Sequence, residues 1–260
     1  MKKIKTVGSR WLKTTTIPLI PTNNIDLPDR KVFEKAELNL KYSDLEVENG
    51  PNGRRYITPE GHSYPSITTV LGSFGKQAIY EWRKRVGAEE ANRISRHATT
   101  RGQALHTLME KYVRGDEVVL TGNEMPHVRL SFSGACKVIN QHLTKVYVQE
   151  YPLYSDHLEL AGRVDLIGEF SRRMSIIDFK TSSRIKSRED IEDYFIQECA
   201  YAIMFEERTG ISVPRLVTIM TVDNDSAPVV FVERRVNWEK ALLNKLKDYR
   251  TNLLFGKTNT

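Results

Sequence analysis

A chain of 260 residues, 40% of them hydrophobic, can bury a sizeable core without a metal or disulfide scaffold. Its formal charge of +6 fits a polyanionic partner, nucleic acid first, or ordinary solubility charge. Its two cysteines, Cys136 and Cys199, exclude a disulfide framework and a four-cysteine iron–sulfur cluster within the chain, and no apolar run nears the ~18 residues of a membrane span.

Residues 1–50 read as an extended N-terminal segment, partly disordered, with Pro18, Pro21 and Pro28 and weak periodicity. No acidic residue precedes Asp26, while Lys2, Lys3, Lys5, Arg10 and Lys13 do, the pattern of a basic arm or a mitochondrial transit peptide. Pro59-Glu60-Gly61 between Arg55–Thr58 and His62–Tyr64 predicts a hairpin. Ser66 to Tyr112 reads as helix interrupted by Gly72, Gly75 and Gly87, and Val128–Leu143 as a further helix. Three strands follow: Val146–Leu153, Leu158–Phe170 and Met174–Lys180, the last two joined by Ser171-Arg172-Arg173. A long helix runs from Arg188 to Arg208, with Ser187 as N-cap, Asp190 three residues on, and Gly210 as its stop. Leu216–Val222 and Val229–Val236 form a closing strand pair. Trp238–Phe255 is an amphipathic helix with Leu242, Leu243, Leu246 and Tyr249 on its apolar side. The result is an α/β protein, a central mixed β-sheet flanked by helices, in which 51–260 is one domain: a helical elaboration over 51–145 and the sheet with its helices over 146–260.

The chemistry concentrates in Ser175-Ile176-Ile177-Asp178-Phe179-Lys180-Thr181. On a strand Asp178 and Lys180 share a face, and Ile177 and Phe179 face the other way. If the hairpin turns near Ser171-Arg172, Asp165 of Gly162-Arg163-Val164-Asp165 falls opposite Asp178. Two carboxylates that close repel unless a cation or proton lies between them, and a hard divalent ion, magnesium before others, suits oxygen donors. A one-residue slip in register would separate them.

These two runs resemble the core of the RecB-type branch of the PD-(D/E)XK nuclease superfamily. Arg101-Gly102-Gln103-Ala104-Leu105-His106 resembles the branch's helical Gly-x-x-x-His element, and Gln197-Glu198-Cys199-Ala200-Tyr201 its Gln-x-x-x-Tyr element. Val164 stands where the superfamily's name has proline, a departure common in this branch. Tyr64-Pro65-Ser66-Ile67-Thr68-Thr69-Val70-Leu71 resembles a segment of the mitochondrial genome maintenance exonuclease group and its phage-encoded relatives. The resemblance implies a restriction-endonuclease-like core and a magnesium-dependent deoxyribonuclease, with manganese as substitute, that digests single-stranded DNA from ends. A structure-specific or duplex endonuclease, or a non-catalytic nucleic-acid-binding protein, are the alternatives.

By that resemblance Asp165, Asp178 and Lys180 are catalytic. His106, Asp165, Asp178 and the Phe179 carbonyl hold metal, joined by Glu150 on the preceding strand or, in the plainer reading, with Glu150 as a surface residue. Glu110, one turn after His106, either orients the imidazole or is solvated. Gln197 and Tyr201 contact the nucleic-acid backbone or brace Lys180. Arg83, Arg93, Arg96 and Arg101 form either a basic face leading to His106, with Tyr80 and Trp82 as stacking aromatics, or a solvated helical face in which Glu81, Glu89 and Glu90 are interspersed. Ser66 and Thr68 either donate to phosphates or cap the next helix. The compartment expected is the cytoplasm, for a virus-encoded enzyme that of the host, or alternatively the mitochondrion.

Overall fold

A computed structural model describes residues 28–255 except 30, 39, 41, 119, 121–125, 224 and 226, and, before them, the backbone of 2–3, 6–7 and 16–17. In chain order the strands and helices are β1 (Lys2–Lys3), β2 (Thr6–Val7), β3 (Thr16–Ile17), β4 (Glu34–Lys35), β5 (Glu46–Gly50), β6 (Gly53–Ile57), β7 (Ser63–Pro65), α1 (Ile67–Phe74), α2 (Lys76–Val86), α3 (Ala88–Arg114) and α4 (Pro126–His142). They continue with β8 (Leu143–Ser155), β9 (Leu160–Phe170), β10 (Arg173–Ser182), α5 (Glu192–Thr209), β11 (Arg215–Val222), β12 (Val229–Arg234) and α6 (Glu239–Leu254).

The main sheet has the order β2-β12-β11-β10-β9-β8-β4. Strands β8, β9 and β10 run antiparallel in succession, and β10 pairs parallel with β11. A parallel pair needs a crossover, and α5 provides it. The mixed, helix-flanked sheet is therefore the architecture expected from the sequence. A separate meander, β5-β6-β7, contains the hairpin around Gly61, whose φ of +85° suits glycine. Its first strand, Glu46–Gly50, starts inside the stretch read as extended, because it pairs with Gly53–Ile57 across Pro51-Asn52.

The helical stretch divides at Gly75 and Gly87, as the glycines suggest, while Gly72 continues within α1. Ser66 caps α1, its hydroxyl accepting from the Thr69 N–H at 3.0 Å. Before α5 the Ser187 N–H donates to Asp190 Oδ2 and the Asp190 N–H to Ser187 Oγ, a reciprocal cap on a 3-10 turn, Glu189–Ile191. Leu243 departs from the reading of α6: it is half exposed, whereas Leu242, Leu246 and Tyr249 are buried.

Alternation along β10 divides the core between the two sheet faces. Ile176 packs with Ile67, Val164, Phe195 and Phe205, the side of α1 and α5. Ile177 and Phe179 pack with Leu105, Met109, Phe132 and Ile139, the side of α3 and α4. Fully burying such side chains is worth roughly 1.5–3 kcal/mol each, which holds the strand's register firmly.

Candidate active site

The β9–β10 connection is a two-residue loop, with Phe170 paired to Arg173 and positive φ at both Ser171 (50°) and Arg172 (62°). Positive φ at both central residues is the turn that matches strand twist and fixes register. The ladder then runs to Ile177 opposite Leu166, so the next facing pair is Asp178 with Asp165. The main-chain ladder ends at the Ile177–Leu166 pair, and Asp165 Oδ2 accepts the Phe179 N–H at 2.9 Å. The carboxylate thus takes over a main-chain partner's task.

On the other side of β9, Gln149 pairs with Leu166 and Tyr151 with Val164, which sets Glu150 opposite Asp165. Three acidic residues, Glu150, Asp165 and Asp178, therefore stand in one row across β8, β9 and β10. Glu150 has φ +46°, a left-handed conformation uncommon for a residue with a side chain. Such a position costs of order 1–3 kcal/mol and clusters at functional sites.

From α3, His106 Nδ1 reaches to 3.4 Å from Asp165 Oδ2. His106, Glu150 and Asp165 each offer a ligand atom, all within 4.8 Å of one another. Two carboxylates and an imidazole converging this way fit a hard or borderline divalent cation. Burial, and next the charge of Asp165, pushes Glu150 up to about 7. Crowded carboxylates behave this way when no cation offsets them.

Asp178 is not in that group of three. Its Oδ2 lies 2.5 Å from Lys180 Nζ, and its Oδ1 accepts from Gln197 Nε2 at 3.3 Å. The side chain is 1% exposed. Burial raises its pKa against the pull of Lys180. Burial alone would lower Lys180, but Asp178 and then Asp165 overcome it and hold the ammonium above its ordinary value. The pairing with Asp178 thus favours the charged form of Lys180.

Residues 77–235 match the family described as the PD-(D/E)XK nuclease superfamily. The chain belongs to that superfamily. No curated protein matches the chain. Membership implies metal-dependent hydrolysis of nucleic acid.

Several side chains assigned to nucleic acid prove to be occupied within the protein. Arg101 is 5% exposed and paired with Asp223, a partner 122 residues away. Tyr201 is buried and takes a hydrogen bond from Gln197 Nε2 at 3.3 Å. Gly162 lets it in: a Cβ there would lie 2.7 Å from Tyr201 Cε1. Gln197 and Tyr201 thus brace Asp178 and not Lys180. Ser66 is buried as a cap, and the exposed Thr68 shares a hydroxyl contact with it at 2.9 Å. Arg93 makes a two-pronged pair with Glu90, and Arg83 and Arg96 bond to Asn92, though all three remain on the surface. The Glu110 carboxylate pairs with Arg114, four residues on, and not with His106, four residues back. Its charge still reaches Glu150 and raises it.

The reading of the sequence passed over Glu198. It is fully buried, accepts from the Thr218 hydroxyl, and is driven well above the carboxylate range by burial and by Asp178. An acid inside the apolar run Phe195-Ile196-Gln197-Glu198-Cys199-Ala200 was the available signal.

Proposed function

We propose that this protein is a magnesium-dependent exonuclease that hydrolyses single-stranded DNA from an end. The observation that carries the reading is the convergence of His106, Glu150 and Asp165 beside the Asp178–Lys180 pair. His106, Glu150 and Asp165 hold the cation, with Asp178 and the Phe179 carbonyl as further donors. When bound, a divalent ion supplies Lewis-acid stabilisation of charge on the scissile phosphate. Lys180 orients the attacking water and offsets negative charge that develops on the phosphate oxygens. Gln197 and Tyr201 keep Asp178 in place. Phe179 keeps its side chain in the core, so the strand cannot rotate the two charged residues away.

Helix α2 supports a single-stranded substrate. It has no buried residue, and it presents exposed Tyr80, Lys84 and Arg85. Aromatics among cations bind unpaired strands without reading sequence. The free, buried thiols of Cys136 and Cys199 support a reducing compartment, cytoplasmic or mitochondrial.

The test uses end-labelled linear and circular single strands, and duplex DNA, with magnesium, manganese or chelator. Linear single strands disappear only with metal, circles persist, and Lys180→Ala is inactive. Circles cut as fast as linear strands would replace the exonuclease with an endonuclease, and binding without cleavage under any metal would leave a nucleic-acid-binding protein.

A further inference from the structure

The loop that follows β10 carries a second lysine toward the site. Lys186 Nζ lies 5.4 Å from the centroid of the Tyr194 ring and donates to the Tyr194 hydroxyl at 3.2 Å. Lys180 Nζ lies 5.1 Å from the same centroid. The two ammonium groups therefore share one aromatic ring on α5. Their partners differ: Lys180 is committed to Asp178, whereas among the described residues no carboxylate pairs with Lys186. The neighbouring Arg188 is spoken for by Glu233, at 2.5 Å. Lys186 is half-buried, so its stem is packed while its charge stays uncommitted.

Two like charges held on one ring repel, and the arrangement gains when an anion joins the second one. Lys180 stands where the scissile phosphate is read to lie. The next phosphate of a strand is one nucleotide away from the scissile one, and a second cation on the same ring is placed to meet it. We propose that Lys186, held by Tyr194 beside Lys180, binds a phosphodiester adjacent to the one being cleaved. The loop between β10 and α5 is then a phosphate subsite for the substrate strand. The proposal rests on the nuclease reading above and adds a residue to it.

The test is the binding of a fluorescein-labelled linear single strand, in chelator to prevent turnover, across a series of salt concentrations. Wild type, Lys186→Ala, Lys186→Arg and Tyr194→Leu are compared, with manganese binding followed by calorimetry in each. One lost phosphate contact flattens the slope of log K against log salt by about 0.7 on a single strand. That flattening is expected in Lys186→Ala, for any strand sequence, with the slope restored in Lys186→Arg and manganese affinity unchanged in both. Tyr194→Leu, which leaves the charge but frees it, weakens binding while keeping most of the slope. A wild-type slope retained in Lys186→Ala overturns the subsite and leaves the nuclease reading standing. A fall in manganese affinity matching the fall in DNA affinity also overturns it, since Lys186 would then act through the metal site. A wild-type protein with no salt-dependent strand binding removes the nuclease reading and the subsite together.

Discussion

Glu150 combines a strained backbone with a perturbed carboxyl, and both can be measured. Its folded pKa, about 7, is above the ordinary value of 4.5, first because of burial and then because of Asp165. A raised carboxyl means that the folded state holds a proton which the unfolded state releases between about pH 4.5 and 7. Stability of the metal-free protein therefore falls as pH rises through that window. Two or so pKa units correspond to about 3 kcal/mol, less what solvent screening removes. Glu150→Gln, which has no such proton, loses less stability over the window. Denaturant melts in chelator at pH 5 and pH 7.5 check this, and equal losses in wild type and Glu150→Gln would contradict the burial of this carboxyl. Other buried acids, Asp178 and Glu198, contribute in the same direction, which is why the comparison is with the variant. At this scale the sequence was legible wherever alternation governed. Asp178 and Lys180 on one face, and Asp165 opposite Asp178, follow from period-2 patterning and a turn at Ser171-Arg172. The left-handed backbone at Glu150 was not legible, because no residue type in that run calls for it.

Helix α3 explains why the arginines were harder to read than the acids. Residues 92–100 are all exposed, and Arg101 is the first buried side chain after them. There the helix meets the ends of β10 and β11: Arg101 pairs with Asp223, whose N–H donates to the Ser182 carbonyl at 2.9 Å. Five residues further on, the same helix delivers His106 to Asp165. Sequence spacing shows a run of cations leading to a histidine. Only the fold shows that the last of them is pinned by a residue 122 positions away. Removing one member of a buried pair strands the other charge, which costs about 3–5 kcal/mol. Asp223→Leu should therefore destabilise by an amount of that order, discounted for its partial exposure, and Arg101→Met similarly. The double replacement Arg101→Met with Asp223→Leu should recover most of the loss. Chemical denaturation of the three variants checks it. If the double variant is as unstable as the sum of the singles, the pair is not the pin.

Stability across the whole molecule is distributed unevenly, and the distribution bears on substrate entry. Strands β9, β10 and β11 are buried on both faces between two apolar clusters. By contrast α2 contributes no buried residue, and α3 is exposed over 92–100. Elements with few buried contacts open at low free energy, while core strands open only on global unfolding. The formal charge of +6 is likewise unevenly available. Arg101 is tied to Asp223 in the interior and the half-buried Arg188 to Glu233, but Lys84 and Arg85 on α2 lie open. On the proposed reading, the basic, aromatic-bearing helix joined directly to the helix of His106 is the part of the molecule that a strand orders. Amide hydrogen exchange on the chelated protein should show fast exchange over residues 76–100 and slow exchange over β9–β11. Adding a linear single strand should protect 76–100 several-fold and leave the sheet unchanged. Protection confined to the β5-β6-β7 meander or to α6 would route the strand over another face, and would require a different account of why α2 has no core contacts.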